Sequence, residues 1–169
     1  MDQQTLIVIL AVLVLVGYVY FRHRRGGARF SQPQLAYAYH AEPIAEAGED
    51  LRAAFAGMTD GLPTGAVLMR FSLLNRGEGA LAAATHFAAP VVITLPEGTR
   101  VLRAQAVEGH GRASHDNVAV SISGSAVTID PFDMPSFGSV IFNIVTDGPV
   151  GNPVVSGGLK DQGDPEMLA

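Results

Sequence analysis

The sequence predicts an all-β sandwich domain carried on one N-terminal transmembrane helix, with a short amphipathic helix between the two. Three observations lead there. Residues 5–21 contain no charged side chain. Over residues 44–58 the apolar positions recur every three or four residues. After Pro63 the apolar period shortens to two, and turns built from Gly, Pro and Asn punctuate it.

Composition sets the outer bounds. A chain of 169 residues has room for one ordinary domain plus an anchor. Apolar residues make up 48% and charged ones 16%, an imbalance best explained by one greasy segment at an end. A net charge of -5 disfavours nucleic acid, because phosphate neutralisation needs a basic surface. The absence of cysteine removes disulfides, thiolate zinc sites, iron–sulfur clusters and cysteine nucleophiles.

The anchor comes first. From Thr5 to Phe21 every residue except Thr5 and Gly17 is apolar, with Leu, Ile, Val and Phe dominating. A helix of that length spans roughly 25 Å, and Gln3, Gln4 and a snorkelling Arg22 make up the difference to a hydrocarbon core of about 30 Å. Continuous apolar side chains on every face leave a soluble helix no polar side to expose. Tyr18 and Tyr20 stand at one end, where amphipathic rings suit the headgroup region. Only Asp2 and the amino terminus precede the run, whereas Arg22, His23, Arg24, Arg25 and Arg29 follow it. The positive-inside rule therefore puts the C-terminal side in the cytoplasm and residues 1–4 outside. A cleaved signal peptide needs a basic start, which is missing. An exported, membrane-anchored envelope or adhesion domain is the alternative.

Residues 22–43 read as a basic tether, since Gly26-Gly27 breaks a helix and Pro33 and Pro43 oppose its resumption. Tyr37, Tyr39 and His40 fall in this stretch and read as interfacial or loop residues. Residues 44–58 then predict an amphipathic helix with Ile44, Ala47, Leu51, Phe55 and Met58 on one face. Glu42, Glu46, Glu49 and Asp50 complement the positive end of its dipole. The domain proper is expected over residues 64–158. Its strands centre on Val67–Leu73, Leu81–Phe87, Val91–Leu95, Arg100–Val107, Val118–Ile122, Val127–Ile129, Val140–Ile144 and Val154-Val155. Residues 159–169 read as a disordered polar tail.

Certain segments carry a resemblance: Phe71-Ser-Leu-Leu-Asn75-Arg-Gly77, the Phe87-Ala-Ala-Pro90 step and Ile129-Asp-Pro131 before the late hydrophobic strand. With them the domain resembles the immunoglobulin-like β-sandwiches found in many uncharacterised bacterial single-pass membrane proteins. The antibody-type hallmarks are missing: this domain has no Cys pair, no Trp and no Tyr for a tyrosine corner. A sandwich of this kind hosts many functions and implies none.

Candidate chemistry is sparse. His110, His115 and Asp116, near Glu108, combine imidazole and carboxylate donors and are the weak metal candidates. Their flexible, Gly-flanked spacing fits a mobile polar loop better. Asp130 and Asp133 form a carboxylate pair beside Phe132 and Phe137, which reads first as a crossover capping the sandwich. His86 reads as a satisfied surface histidine. No Gly-x-Ser-x-Gly elbow and no Gly-rich phosphate loop is present. The expectation is a non-enzymatic module without catalytic residue, cofactor or small-molecule substrate. Its partners are a lipid bilayer and a protein bound through a sheet edge or loops.

Overall fold

The computed structural model describes residues 32–168. The predicted transmembrane run 5–21 and its flanking Tyr18, Tyr20, Arg22, Arg24, Arg25 and Arg29 lie outside the described residues. Among the described residues no helix is long and apolar enough to cross a membrane.

Two sheets pack face to face. The larger contains β1 (Leu35–Pro43), β2 (Ala66–Asn75), β7 (Ser139–Asp147), β4 (Arg100–His110) and β9 (Glu166–Met167), in the order β4-β7-β2-β1-β9. The smaller contains β5 (Val120–Ser123), β6 (Ala126–Ile129), β3 (Phe87–Thr94) and β8 (Val154–Leu159), in the order β5-β6-β3-β8. The predicted two-sheet β-sandwich is therefore present.

Alternation decides which side chains fill the middle. Met69, Phe71 and Leu73 of β2 and Val140, Phe142 and Ile144 of β7 face Val91, Ile93, Val127 and Ile129 of the smaller sheet. Tyr37 stacks on Phe71 at 5.5 Å between ring centroids, and Phe71 in turn meets Phe142 at 6.3 Å. The outer face of the larger sheet is covered too. Ala66, Leu68 and Val145 pack there under Ala47, Phe55 and Met58 of the segment that contains α1 (Glu49–Ala54). With cover on both faces, β7 is buried almost throughout, which explains its near-continuous apolar sequence.

The structure revises several sequence-based boundaries. The stretch read as tether ends earlier, because Leu35–Pro43 forms β1 and pairs with β2 along its whole length, from Leu35 opposite Asn75 to Pro43 opposite Val67. Leu35, Tyr37, Tyr39 and Ala41 point into the core, and the two prolines bracket this strand without interrupting it. The helix expected over 44–58 is regular only at Glu49–Ala54, flanked by turns that still bury Phe55 and Met58. Leu81–Phe87 is not a strand: Leu81 makes one bridge to Met134, and Ala83–His86 forms α2. Side-chain bonds, one local and one from 50 residues along the chain, hold this turn: His86 Nδ1 accepts the Ala82 N–H at 2.9 Å and Asp133 Oδ1 accepts the Ala83 N–H at 2.8 Å. The polar tail is ordered against the domain, with Leu159 buried and β9 running parallel to β1. Phe132 caps the sandwich beside Phe87, whereas Phe137 is 64% exposed.

Candidate functional site: the open edge of the larger sheet

In a β-strand, successive residues direct their N–H and C=O groups to opposite neighbours. In β1 the even positions serve β2, and the ladder ends where the Ile44 N–H reaches the Ala66 C=O at 2.8 Å. The odd positions Leu35, Tyr37, Tyr39 and Ala41 direct theirs to the opposite edge. Leu35 is met there by the side-chain amide of Gln162, and the Tyr37 C=O accepts the Leu168 N–H at 2.8 Å. Pro43 has no N–H, and its C=O is taken by Glu46 and Ala47. Among the described residues nothing pairs with Tyr39 or Ala41 on this edge. Four backbone groups, two donors and two acceptors, stand open in a row.

The other edges are partly covered or interrupted. β4 carries two register shifts, between Val101 and Arg103 and between Ala106 and Glu108, and irregularity of this kind blunts an edge. It also meets the β5–β6 turn, where the Val101 N–H donates to Gly124 at 2.9 Å. β5 is only four residues long. On β8 the Gly157 N–H is taken by Asp164 Oδ1 at 2.8 Å, and Leu159 bridges Gly163. Among the described residues, Tyr39–Ala41 is the longer uncovered stretch when set against β8, where only the outward groups of Val155 and the Gly157 C=O lack a partner.

Side chains frame it on both faces. On the inner side the Tyr39 hydroxyl donates to the Gly151 C=O at 3.2 Å, which fixes the ring against the 151–152 loop. Burial raises the Tyr37 hydroxyl above its ordinary range, and the charge of an ionised Tyr39 raises it further. On the outer side His40 Nε2 lies 2.8 Å from Glu42 Oε1, with both side chains substantially exposed. Sequence reading placed Tyr37, Tyr39 and His40 in a tether and so missed this edge. The signal was there, as the alternation of Leu35, Tyr37, Tyr39 and Ala41.

The residues singled out for chemistry are dispersed. Glu108 and His110 belong to β4, outside the following loop, and Glu108 divides its oxygens between Arg70 at 2.6 Å and His110 at 3.2 Å. His115 approaches a different carboxylate, that of Asp116, at 3.7 Å. Among the described residues no group of three or more His, Asp or Glu is placed to hold a metal ion. Asp133 is spent on α2, while the Asp130 N–H bonds Ala119. His86 is half-buried beside a cleft of about 260 Å³ that Gln32, Pro33, Gln34, Asp161 and Gln162 also line. A shallower groove of about 480 Å³ lies along Ile44, Ala45, Arg52, Thr59 and Thr64. Its Arg52 guanidinium is engaged by the C=O groups of Ile44 and Ala45.

No protein-family model and no curated protein matches the chain. Among solved structures, the unique CBM3- of Hungateiclostridium clariflavum is similar at a TM-score of 0.42 and 10% identity, over 82% of this chain and 100% of that one. A family IIIa CBD from Clostridium cellulolyticum is similar at a TM-score of 0.33 and 10% identity, over 61% of this chain and 88% of that one.

Proposed function

We propose that this chain is a membrane-anchored β-sandwich module that binds a protein partner by strand addition to β1 at the cytoplasmic face. The observation that carries the reading is the open pair of residues Tyr39 and Ala41, with two donors and two acceptors in strand geometry that nothing among the described residues covers. An extended peptide laid there satisfies all four groups, and main-chain bonding of this kind is a common recognition mode. The membrane part rests on the sequence alone, from the uncharged run 5–21 and the arginines behind it. The immunoglobulin-like assignment belongs to the same reading and adds no specific partner.

Two measurements test it. A photo-crosslinking residue in place of His40, in the full-length chain at native expression, should capture a defined protein partner. The crosslink should vanish with Ala41→Pro, which removes one outward N–H and leaves the β2 ladder its own donors. Retention of the crosslink in that variant, or no crosslink in either, rejects the edge as the binding surface. Alkaline phosphatase fused after Ala169 should be inactive; activity outside the cell replaces the cytoplasmic placement with the exported one.

A further inference from the structure

Half of the β1 edge is already occupied, and by a strand mimic. Gln162 Oε1 accepts the Leu35 N–H at 2.6 Å, and Gln162 Nε2 donates to the Leu35 C=O at 2.6 Å. A primary amide offers one acceptor and one donor side by side, as a residue of an adjoining strand does. The chain then crosses Gly163 (φ 80°) and tucks the buried Pro165 beneath it. It continues into β9, parallel to β1 at Ala36 and Tyr37. Leu35 and Tyr37 are therefore closed to an incoming strand, whereas Tyr39 and Ala41 are not.

This cover is fastened at its start and held further on by isolated bonds: Asp164 Oδ1 accepts the Gly157 N–H at 2.8 Å, and the Leu168 N–H donates to Tyr37 at 2.8 Å. Leu159 is buried, and Lys160 is tied twice, through its N–H to His86 and its Nζ to Thr85. Beyond it, β9 is two residues long and exposed, with Met167 at 56%. The Arg76–Glu166 ion pair spans 3.6 Å at the surface. The cleft of about 260 Å³ runs alongside Gln162 itself, so that side of the segment lacks packing.

We infer that residues 162–168 are a releasable clasp on β1 that regulates how much of its edge a partner can pair with. The inference rests on the β1 edge being the binding surface. Release at Gln162 frees Leu35, and release of the whole segment 162–168 lengthens the available edge from Tyr39 and Ala41 to Leu35, Tyr37, Tyr39 and Ala41, which doubles the backbone groups open to a strand. The clasp thus competes with the partner for adjoining positions, and a ligand strand long enough to reach Leu35 must displace it.

The test uses the full-length protein and its Gln162→Ala variant. Amide hydrogen exchange at Leu35 should accelerate about thirtyfold in the variant, equivalent to ~2 kcal/mol for two lost hydrogen bonds. A fluorescent peptide copying residues 160–168 should bind the variant at least about tenfold more tightly than the wild type. Gln162→Glu, which keeps an acceptor for the Leu35 N–H but loses the donor, should fall between them. Unchanged exchange at Leu35, or equal peptide binding by wild type and variant, overturns the clasp. The His40 crosslink separates the two readings. A captured partner whose yield Gln162→Ala leaves unaltered sinks the clasp alone, and a tenfold rise supports it. Capture of nothing by either protein sinks the edge, and the clasp with it.

Discussion

Asn75 offers the sharpest test of how the domain is tied together. Its side chain is 1% exposed and makes four hydrogen bonds. Oδ1 accepts the N–H groups of Gln34 at 3.2 Å and Gly77 at 3.0 Å, while Nδ2 donates to Gly79 at 2.8 Å and Pro135 at 3.1 Å. One amide thereby fixes the start of β1, the turn after β2 and the crossover before β7. At a net ~1 kcal/mol per bond, with some water re-entry at the half-buried partners, Asn75→Ala should cost ~3 kcal/mol. That loss corresponds to a fall in Tm of roughly 10 °C for a domain of this size. Asn75→Asp keeps both accepted bonds but sets a carboxylate against the carbonyls of Gly79 and Pro135, and should be no less damaging. Urea unfolding followed by far-UV circular dichroism measures both, with the exposed Asn117→Ala as a control expected within about 0.5 kcal/mol of wild type. A loss below about 1 kcal/mol for Asn75→Ala would refute the reasoning, because the three segments would then be held by something other than this side chain.

Phe71 is fully buried between Tyr37 and Phe142, so Phe71→Ala should cost about 3–5 kcal/mol in the same unfolding assay. Neighbouring prolines separate the two sides of β1: Ala41→Pro should cost no more than about 1 kcal/mol, whereas His40→Pro, which removes a ladder donor to β2, should cost about 3 kcal/mol or more. A Cβ on Gly157 (φ 82°) would meet Pro90 O at 2.0 Å, while one on Gly124 (φ 60°) would meet nothing within 4 Å. Gly157→Ala should therefore destabilise well beyond the ~1 kcal/mol expected of Gly124→Ala, and similar Tm values for the two would contradict the close approach of β8 to β3. Tyr37 has a raised pKa in the fold, owing first to burial and then to Tyr39, so the unfolded chain releases its proton at lower pH. Its contribution is fully present below the ordinary tyrosine range and is lost as pH rises through the higher folded value. Stability should decline above about pH 10, and Tyr37→Phe should flatten that decline.

How much could be read without coordinates differs from element to element. β2, β6 and β7 were legible because each buries alternate side chains, or both faces, and that pattern is local. Leu81–Phe87 alternates just as well, yet two side-chain bonds to backbone N–H groups turn it into α2. The metal candidates were adjacent in sequence, but His110 and His115 each approach a separate carboxylate in the fold.

By itself the sequence determined that a β-sandwich forms, that its core is built from alternating apolar side chains, and that an uncharged run precedes it. These follow from spacing, which acts between near neighbours. Only the tertiary structure decided that Leu35–Pro43 is a strand of the larger sheet and that its edge is half covered and half open. Strand partners are chosen over long separations: Gln162 closes on Leu35 across 127 positions. No local pattern encodes that meeting, because a side-chain amide becomes a strand mimic only where the folded sheet brings an unpaired N–H and C=O to it.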